Sequence, residues 1–248
     1  MGTHKDRNYT EEEINVEIAE LLPPLIKGRF IARPNRFLAL VELSGGEIGA
    51  HVADPGRLKE LLVPGVGVYV APVNRPGRRT AYDLRLVEGP AGLVAVDSRV
   101  PNRLVRLALT AGLWPEFAGY AGLKEEPRAG GGRFDFLLTD GRKPECYIEV
   151  KGCTLVADGT ALFPDAPTAR GARHMRELAA LAQSGRRAAV IFIIQRSDAV
   201  SFRPHAALDP VFAQELREAA AKGVKIRAFR CRVSSAAITL DREVPVHF

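Results

Sequence analysis

Cysteine is scarce in this chain of 248 residues. Its three cysteines, Cys146, Cys153 and Cys231, leave one over in any pairing and form no Cys-x-x-Cys motif. A disulfide framework needs an even set of cysteines, and a zinc knuckle needs closely spaced pairs. The sequence therefore argues against both and favours a reducing cytoplasmic compartment.

Long hydrophobic runs are also missing. The longest, AAVIFII at residues 188–194, is far shorter than the ~20 residues of a membrane-spanning helix. The opening stretch MGTHKDRNYTEEE is charged where a signal peptide would be apolar. We therefore expect a cytoplasmic protein with no membrane partner. The oligomeric state stays open, with a dimer among the alternatives.

Neither sign of charge is in large excess, but the balance is basic. Lysine and arginine number 35 against 29 aspartate and glutamate, which gives a formal charge of +6 and a pI of about 9.4. This balance mildly favours polyanionic partners. Apolar residues make up 46 % of the chain, enough for a sizeable core.

The N-terminal extension, residues 1–28, carries a helix signal. Thr10 and Glu13 match a capping box, and apolar residues follow at helical spacing as far as Leu21, shortly before Pro23 ends the pattern. We predict a short helix in this extension.

Residues 29–97 show short strand patterns separated by glycine and proline turns. One short helical pattern, RLKELL at residues 57–62, interrupts them. Five or six short strands with one small helix are typical of a small closed barrel such as the oligonucleotide-binding (OB) fold. We therefore predict an OB-like barrel in this region.

The hydrophobic period changes after Ser98. Helical spacing occurs in PNRLVRLALTAGL, in ARHMRELAALAQSG and after the capping residue Asp209, and it alternates with apolar strands such as AAVIFIIQ and VKIRAFR. A strand, a helix and a second strand imply a right-handed crossover and a partly parallel sheet. Residues 98–248 are therefore predicted to form an α/β domain with a mixed central sheet, which makes the whole chain α+β.

Two charged residues interrupt the apolar strand pattern CYIEVKG. Because side chains on a strand alternate faces, Glu149 and Lys151 point to the same side. An Asp-Gly turn at residues 140–141 predicts a hairpin with the preceding strand RFDFLL, which carries Asp135. With a loop of about six residues, Asp135 lies within one position of being opposite Glu149.

Two adjacent carboxylates repel each other unless a divalent cation lies between them. Magnesium or manganese suits oxygen ligands and keeps coordination positions open for water and phosphate. A neighbouring lysine can orient or deprotonate the attacking water or balance charge on the phosphate. Asp135, Glu149 and Lys151 therefore predict a catalytic site for phosphodiester hydrolysis, with both acids as metal ligands. The Glu-x-Lys tripeptide taken alone favours a plain ion pair, because such a tripeptide is expected by chance in a chain of this length; the acid in the preceding strand makes the two interpretations comparable.

Three further residues are candidates near this hairpin. Glu126 is a candidate third metal ligand, although a solvated loop acid is the simpler interpretation. Gln195 ends an apolar strand, and Asp165 belongs to the loop FPDAPTARG, so both are candidates to line the site. No histidine has a partner at metal-ligand spacing. We therefore interpret as structural the histidines His51, His174 and His205.

Basic side chains cluster at several points in the chain, and some clusters lie near strand aromatics. Phe30, Phe37 and Tyr69 can stack on bases, although strand aromatics more often belong to the core. Each cluster is also compatible with an ordinary solvated surface. The candidate nucleic-acid-binding residues are Arg33, Arg36, Arg57, Arg79, Arg103, Arg106 and Arg170.

Several stretches of the chain are long and unusual enough to indicate a family. They are RFIARPNRFLALVEL, HVADPGRLKELLVPG, TAYDLRLVE, VDSRVPNRLV, GRFDFLL, CYIEVKGCTLV, ALFPDAPTARGARHMREL, FIIQR and FRCRVS. In these stretches the chain resembles the bacterial and archaeal sugar fermentation stimulation protein A family from about Arg29 to the C-terminus. The segment before Arg29 lies outside the resemblance.

The resemblance implies an OB-type barrel followed by a domain of the PD-(D/E)xK nuclease type. In that pattern Asp135 corresponds to the first acid, and Glu149 and Lys151 correspond to the acid and lysine of the second strand. Phe134 stands where the pattern has proline. The resemblance also implies DNA binding without strong sequence preference and, in bacteria, a link to the expression of sugar-use genes.

Two functions of different classes follow from the resemblance. The first is a magnesium-dependent nuclease whose barrel and arginines hold the DNA. The second is a non-catalytic DNA-binding regulator whose nuclease core is only a scaffold. The intact triad favours the first, because a binding protein has no reason to keep two repelling acids together. A third alternative, an enzyme of small phosphorylated substrates, predicts no salt-dependent affinity for DNA.

Overall fold

Residues 26–95 form a small barrel of mainly antiparallel strands. The structure, a computed structural model, describes residues 17–129 and 131–248. The first strands are β1 (Ala19–Leu21), β2 (Ile26–Asn35), β3 (Leu38–Leu43), β4 (Gly46–His51), β5 (Gly67–Pro72), β6 (Tyr82–Gly89) and β7 (Gly92–Ala95). Strands β2 to β7 pair in the order β4-β3-β2-β5-β6-β7, and a parallel contact between β4 and β6 closes the barrel. The predicted OB-like barrel is confirmed.

Alternating apolar residues fill the barrel interior. Val41, Val68 and Leu84 lie on three different strands and are fully buried in one cluster. Strands β2 and β3 approach closely at Gly28, where an added Cβ would lie 2.7 Å from the carbonyl oxygen of Glu42. Only glycine fits this crossing without displacing the neighbouring strand.

The helix predicted at residues 57–62 is a single turn instead. The amides of Leu61 and Leu62 both donate to the carbonyl of Leu58, which has a φ of +48°. All three leucines are buried in the barrel core. A six-residue segment followed by Pro64 is too short to sustain a helix, so one turn places the leucines in the core.

A mixed sheet with helices on both faces forms the rest of the chain. Its strands are β8 (Gly122–Glu125), β9 (Arg128–Ala129), β10 (Gly132–Arg133), β11 (Phe136–Thr139), β12 (Cys146–Cys153), β13 (Val156–Ala157), β14 (Thr160–Phe163), β15 (Arg187–Ile194), β16 (Ser201–Pro204), β17 (Lys225–Val233) and β18 (Ala237–Val244). The helices are α1 (Val100–Thr110), α2 (Ala169–Gln183) and α3 (Pro210–Ala221), with a 3-10 turn at Pro115–Phe117. In the part of the chain that the structure describes, no helix is long and apolar enough to cross a membrane.

The main sheet has seven strands in the order β1-β18-β17-β15-β12-β11-β8. Strands β12, β15 and β17 are parallel, as the helical crossovers predict. Helix α1 packs Leu104 in one core cluster with Ile148. Helices α2 and α3 pack Met175 and Phe212 in a second cluster with Phe192, on the opposite face. The predicted mixed α/β domain is confirmed.

The described end of the N-terminal extension is a strand rather than a helix. Strand β1 pairs antiparallel with β18, with Glu20 opposite Ile238. The predicted capping box at Thr10 and Glu13 lies outside the described residues. Pairing with the edge of β18 satisfies backbone groups that an edge strand would otherwise expose, which outweighs the weak helical spacing up to Leu21. Our limits of 1–28, 29–97 and 98–248 for the parts of the chain remain a prediction.

Candidate active site

The hairpin of β11 and β12 brings the predicted acids together. Phe136 lies opposite Ile148, so the same register sets Asp135 opposite Glu149. The loop covers residues 140–145, one position later than expected. Asp135 itself lies in a bend just before β11.

The carboxylate of Asp135 is held by two hydrogen bonds. The backbone amide of Val150 donates to its Oδ2 atom at 2.7 Å, and Nδ2 of Asn102 donates to Oδ1 at 2.7 Å. Burial and the nearby charge of Glu149 raise the pKa of Asp135, although both hydrogen bonds act in the opposite direction. Asp135 is therefore an acid whose ionised form is costly in the absence of a cation.

Glu149 lies deeper, between a lysine and a histidine. The residue is only 3 % exposed, and its Oε1 atom accepts a hydrogen bond from Nζ of Lys151 at 2.5 Å. Nδ1 of His174 lies 2.5 Å from the same oxygen. Burial alone would raise the pKa of Glu149, but the hydrogen bond from His174 and the charge of Lys151 lower it on balance. Glu149 is therefore a buried carboxylate in its ionised form.

His174 and Asn102 contact the two acids. The sequence analysis interpreted His174 as structural only and did not single out Asn102. His174 lies on the buried face of α2, and its Nε2 atom is 3.5 Å from Nε of Arg170. Because the carboxylate of Glu149 can only accept, Nδ1 carries the proton and Nε2 is the acceptor. The only local sequence signal for a role of His174 is Arg170, four residues earlier on the same helix. Asn102 has no such signal in the sequence.

The two acids fit a divalent cation. The Oε2 atom of Glu149 is buried without a hydrogen-bond partner among the described residues, next to the charge of Asp135. An unpaired buried carboxylate oxygen is costly, and a hard cation with oxygen ligands removes that cost. In residues 17–129 and 131–248 no group of three or more His, Cys, Asp or Glu could hold a metal. Water and substrate oxygens would therefore complete the coordination.

Glu126 does not join this pair. Its carboxylate forms an ion pair with Nη1 of Arg133 at 3.2 Å and is largely exposed. Its backbone amide, rather than its side chain, contacts Asp135, by donating to the carbonyl oxygen at 3.0 Å. The simpler interpretation, a solvated loop acid, describes Glu126 better than a metal ligand.

Gln195 lies on the opposite face of the sheet from Glu149 and Lys151. Glu149 is paired with Val190, and Gln195 is five positions further along, so alternation directs its side chain to the α1 face. An added Cβ on Gly152 would lie 3.5 Å from Nε2 of Gln195. The side chain is fully buried behind β12 and does not line the site as predicted.

A cleft of about 400 Å³ connects Lys151 with the barrel. One side is formed by residues 54–56 of the barrel, and the other by the loop that contains Asp165. Oδ2 of Asp165 accepts from the backbone amide of Arg57 at 2.8 Å, which joins the two domains. Asp165 therefore lines the same cleft as Lys151.

The predicted nucleic-acid-binding arginines fall into two groups. Arg33 is a structural side chain, because it donates to the carbonyls of Arg36, Asp54, Gly56 and Arg57. Arg103 pairs with Glu20 at 2.6 Å, and Arg106 lies 3.8 Å from Glu125. The exposed arginines are Arg36, Arg57, Arg79 and Arg170.

We expect Asp54→Asn to stabilise the protein above pH 7. Burial raises the pKa of Asp54 from 3.8 to about 6, although the amide of Gly56 donates to it. A carboxyl whose pKa is higher in the folded state favours folding below pH ~4, and this contribution is lost as the pH rises through about 6. Asparagine keeps the acceptor without the charge. Urea unfolding at several pH values should show a gain of about 1–3 kcal/mol at pH ~8 and a flatter profile. Glu47→Gln, at an exposed position on β4, is the control; an unchanged profile in Asp54→Asn would contradict the assignment.

The barrel and the sheet with its carboxylate pair define a class: an OB domain followed by an α/β domain with a mixed sheet. Two family models match the chain. The model described as SfsA N-terminal OB domain matches residues 31–96, and the model described as Sugar fermentation stimulation protein RE domain matches residues 99–237. The chain belongs to the sugar fermentation stimulation protein family.

Curated relatives and a solved structure agree with this membership. The chain is 51 % identical to a sugar fermentation stimulation protein homolog of Moorella thermoacetica, over 92 % of this chain and 99 % of the relative. The homolog of Chloroflexus aurantiacus is 45 % identical, over 90 % of this chain and 86 % of the relative. The fold is similar to the solved structure of Pyrococcus furiosus SfsA in complex with Ca2+, with a TM-score of 0.86 and 32 % identity, over 94 % of this chain and 100 % of that one.

Proposed function

We propose that the protein is a DNA-binding nuclease that hydrolyses phosphodiester bonds with Mg2+ or Mn2+. The observation that carries the proposal is the buried carboxylate of Glu149, whose Oε2 atom has no partner among the described residues, next to Asp135 and Lys151. A plain ion pair between Glu149 and Lys151 would not need a second acid beside it.

Each residue of the site has a distinct part in this reaction. Asp135 and Glu149 would hold the metal, whose chemistry is to activate water and to neutralise charge on the phosphate. Asn102 and the amide of Val150 fix the orientation of the Asp135 carboxylate. His174 fixes that of Glu149 and leaves Oε2 available.

Lys151 stands between the buried acid and the cleft. Its ammonium group donates to Oε1 of Glu149, and the residue lines the cleft that faces the barrel. From this position it can orient the attacking water or balance the charge that develops on the phosphate. Asp165, across the same cleft, would repel phosphates and so limit the direction from which a strand enters.

The metal and the polyanion have independent support. The solved structure of Pyrococcus furiosus SfsA is in complex with Ca2+, a hard cation with the same preference for oxygen ligands as Mg2+. The formal charge of +6 and the exposed arginines of both domains favour a polyanionic substrate. DNA affinity should therefore fall steeply as the salt concentration rises.

The test compares the wild type with Asp135→Asn and Lys151→Ala on linear and circular DNA, single-stranded and double-stranded, with Mg2+, Mn2+ or EDTA. We expect metal-dependent products from the wild type and a rate lower by about 10²–10⁴-fold in each variant, because one loses a metal ligand and the other the charge beside the phosphate. Binding in EDTA should change little. Lys143→Ala, on the exposed hairpin loop, is the matched control.

Two outcomes would overturn the proposal. Salt-sensitive DNA binding without cleavage of any substrate would indicate a DNA-binding regulator with a nuclease-like scaffold. Cleavage that persists in Asp135→Asn and Lys151→Ala would assign the activity to another site or to a contaminant.

A further inference from the structure

Of the three aromatic residues of the barrel that are candidates for stacking on bases, one has an exposed ring, one is buried in the core and one is hydrogen-bonded through its hydroxyl. Phe30 is buried in the core, and the hydroxyl of Tyr69 donates to Glu88. Phe37, in the turn between β2 and β3, is 45 % exposed. Its ring stacks on His51 with the ring centroids 6.3 Å apart, and the guanidinium of Arg36 lies 4.7 Å from its centroid. The ring is therefore held in place by its neighbours and still offers a free surface.

Phe37 lines a groove that also contains basic residues. The groove has a volume of about 790 Å³, and its lining includes His51 and the segment with Arg75, Pro76, Arg78, Arg79 and Thr80. That segment contributes Arg75 and Arg79, both exposed. Among the described residues, the lining contains no aspartate or glutamate. An aromatic ring and several cations in one groove match a base and its phosphates.

We propose that this groove binds single-stranded nucleic acid, with one unpaired base stacked on Phe37 and the flanking phosphates paired with Arg75 and Arg79. Inside a duplex both faces of each base are covered by neighbouring pairs, so away from the duplex ends Phe37 can stack only on a base that is unpaired. A ring in this position contributes about 1–3 kcal/mol per stacked base, independent of sequence. OB folds commonly bind oligonucleotides on this type of surface, between a strand pair and a loop.

The groove and the candidate active site are connected along the chain by the start of α1. Arg99 lines the groove and is the residue just before α1. Asn102, three residues later, donates to Asp135. Arg99 and Asn102 are less than one helical turn apart along the chain, so the start of α1 is the route by which a strand held in the groove would approach the acids. The stacking site stands without catalysis; its role in feeding a substrate strand to the acids rests on the proposed function.

The test measures binding in EDTA, so that its result does not depend on cleavage. Fluorescence anisotropy compares an oligothymidylate of about 12 nucleotides with a blunt duplex of equal length at one salt concentration. We expect Phe37→Ala to weaken single-strand binding by about 10-fold and to change duplex binding by less than about twofold, and Phe37→Trp to retain single-strand affinity. Arg79→Ala should make the slope of log affinity against log salt concentration shallower for the single strand, by the amount expected for the loss of about one phosphate contact.

A matched control separates stacking from surface hydrophobicity. Phe248→Ala removes a ring of similar exposure, 52 %, at the C-terminus and should leave both affinities unchanged. Equal losses for single strands and duplexes, or unchanged single-strand affinity in Phe37→Ala, would overturn this inference. A wild type that shows this binding pattern but no cleavage in metal would overturn the proposed function and leave the stacking site intact.

Discussion

Replacement of Glu149 by glutamine is expected to remove divalent-metal binding and to reduce metal-dependent cleavage by at least about 100-fold. Glutamine keeps the size of the side chain and can still accept from Lys151. It lacks the charge at Oε2 that a hard cation requires. Because a metal that binds the folded state stabilises it, Mg2+, Mn2+ or Ca2+ should raise the unfolding temperature of the wild type and leave that of Glu149→Gln unchanged.

Glu145→Gln provides the control for this experiment. Glu145 directly precedes β12, is substantially exposed and pairs with Arg186, so its loss should leave the metal-induced shift intact. A full shift in Glu149→Gln, or no shift in the wild type at millimolar metal, would contradict the assignment of Glu149 as a ligand.

Replacement of Asp97 by alanine is expected to cost about 3–5 kcal/mol of folding free energy, the range typical of breaking a buried ion pair. Asp97 is fully buried at the junction of barrel and α/β domain, and its carboxylate accepts from Nε and Nη2 of Arg99 at 2.8 and 2.7 Å. Nη1 of Arg85 lies 3.4 Å away. The loss of Asp97 would leave the buried guanidinium of Arg85 with much less compensating charge. Chemical unfolding followed by the fluorescence of Trp114, the only tryptophan in the sequence, measures the effect.

Two further variants define what this experiment shows. Asp97→Asn keeps an acceptor but not the charge, so it should cost less than alanine. Glu47→Ala changes an exposed acid on β4 and should alter stability by less than about 0.5 kcal/mol. A loss below about 1 kcal/mol in Asp97→Ala would mean that water replaces the carboxylate, and the junction would then not depend on this network.

Local signals predicted most of the α/β domain correctly. Helix α3 starts where Asp209 and Pro210 indicate, and Oδ1 of Asp209 accepts from the amide of Phe212 at 2.9 Å. Helix α2 has a similar cap at Thr168 and ends near Gly185, whose φ is +84°. Caps and terminating glycines act within one turn of the helix, so the sequence carries their information without tertiary contacts.

Two short segments show the limit of local signals. RLKELL has helical spacing, but its leucines fill the end of the barrel from a single turn. Residues 19–21 pair with β18 although their spacing is helical. In both cases a segment of a few residues gains more from the core or from a sheet edge than from its weak intrinsic preference.

Local signals likewise predicted only part of the candidate site. The pairing of Asp135 with Glu149 was predictable to within one position, because a tight hairpin links register to loop length. The position of Gln195 could not be predicted in this way. The face of the sheet on which its side chain lies depends on the parallel register of β15 with β12, and that register is set by α2 and not by a turn.

The sequence by itself determined the order of a barrel and an α/β domain, the helices of the α/β domain, the hairpin and the three residues proposed for catalysis, because these depend on composition, periodicity and short-range spacing. Only the tertiary structure decided that His174 and Asn102 orient the two acids, that Arg33 is structural and that Phe37 is exposed. Those contacts join segments that are distant in the sequence. They arise when helices pack on the sheet and the barrel closes, and no local pattern encodes them.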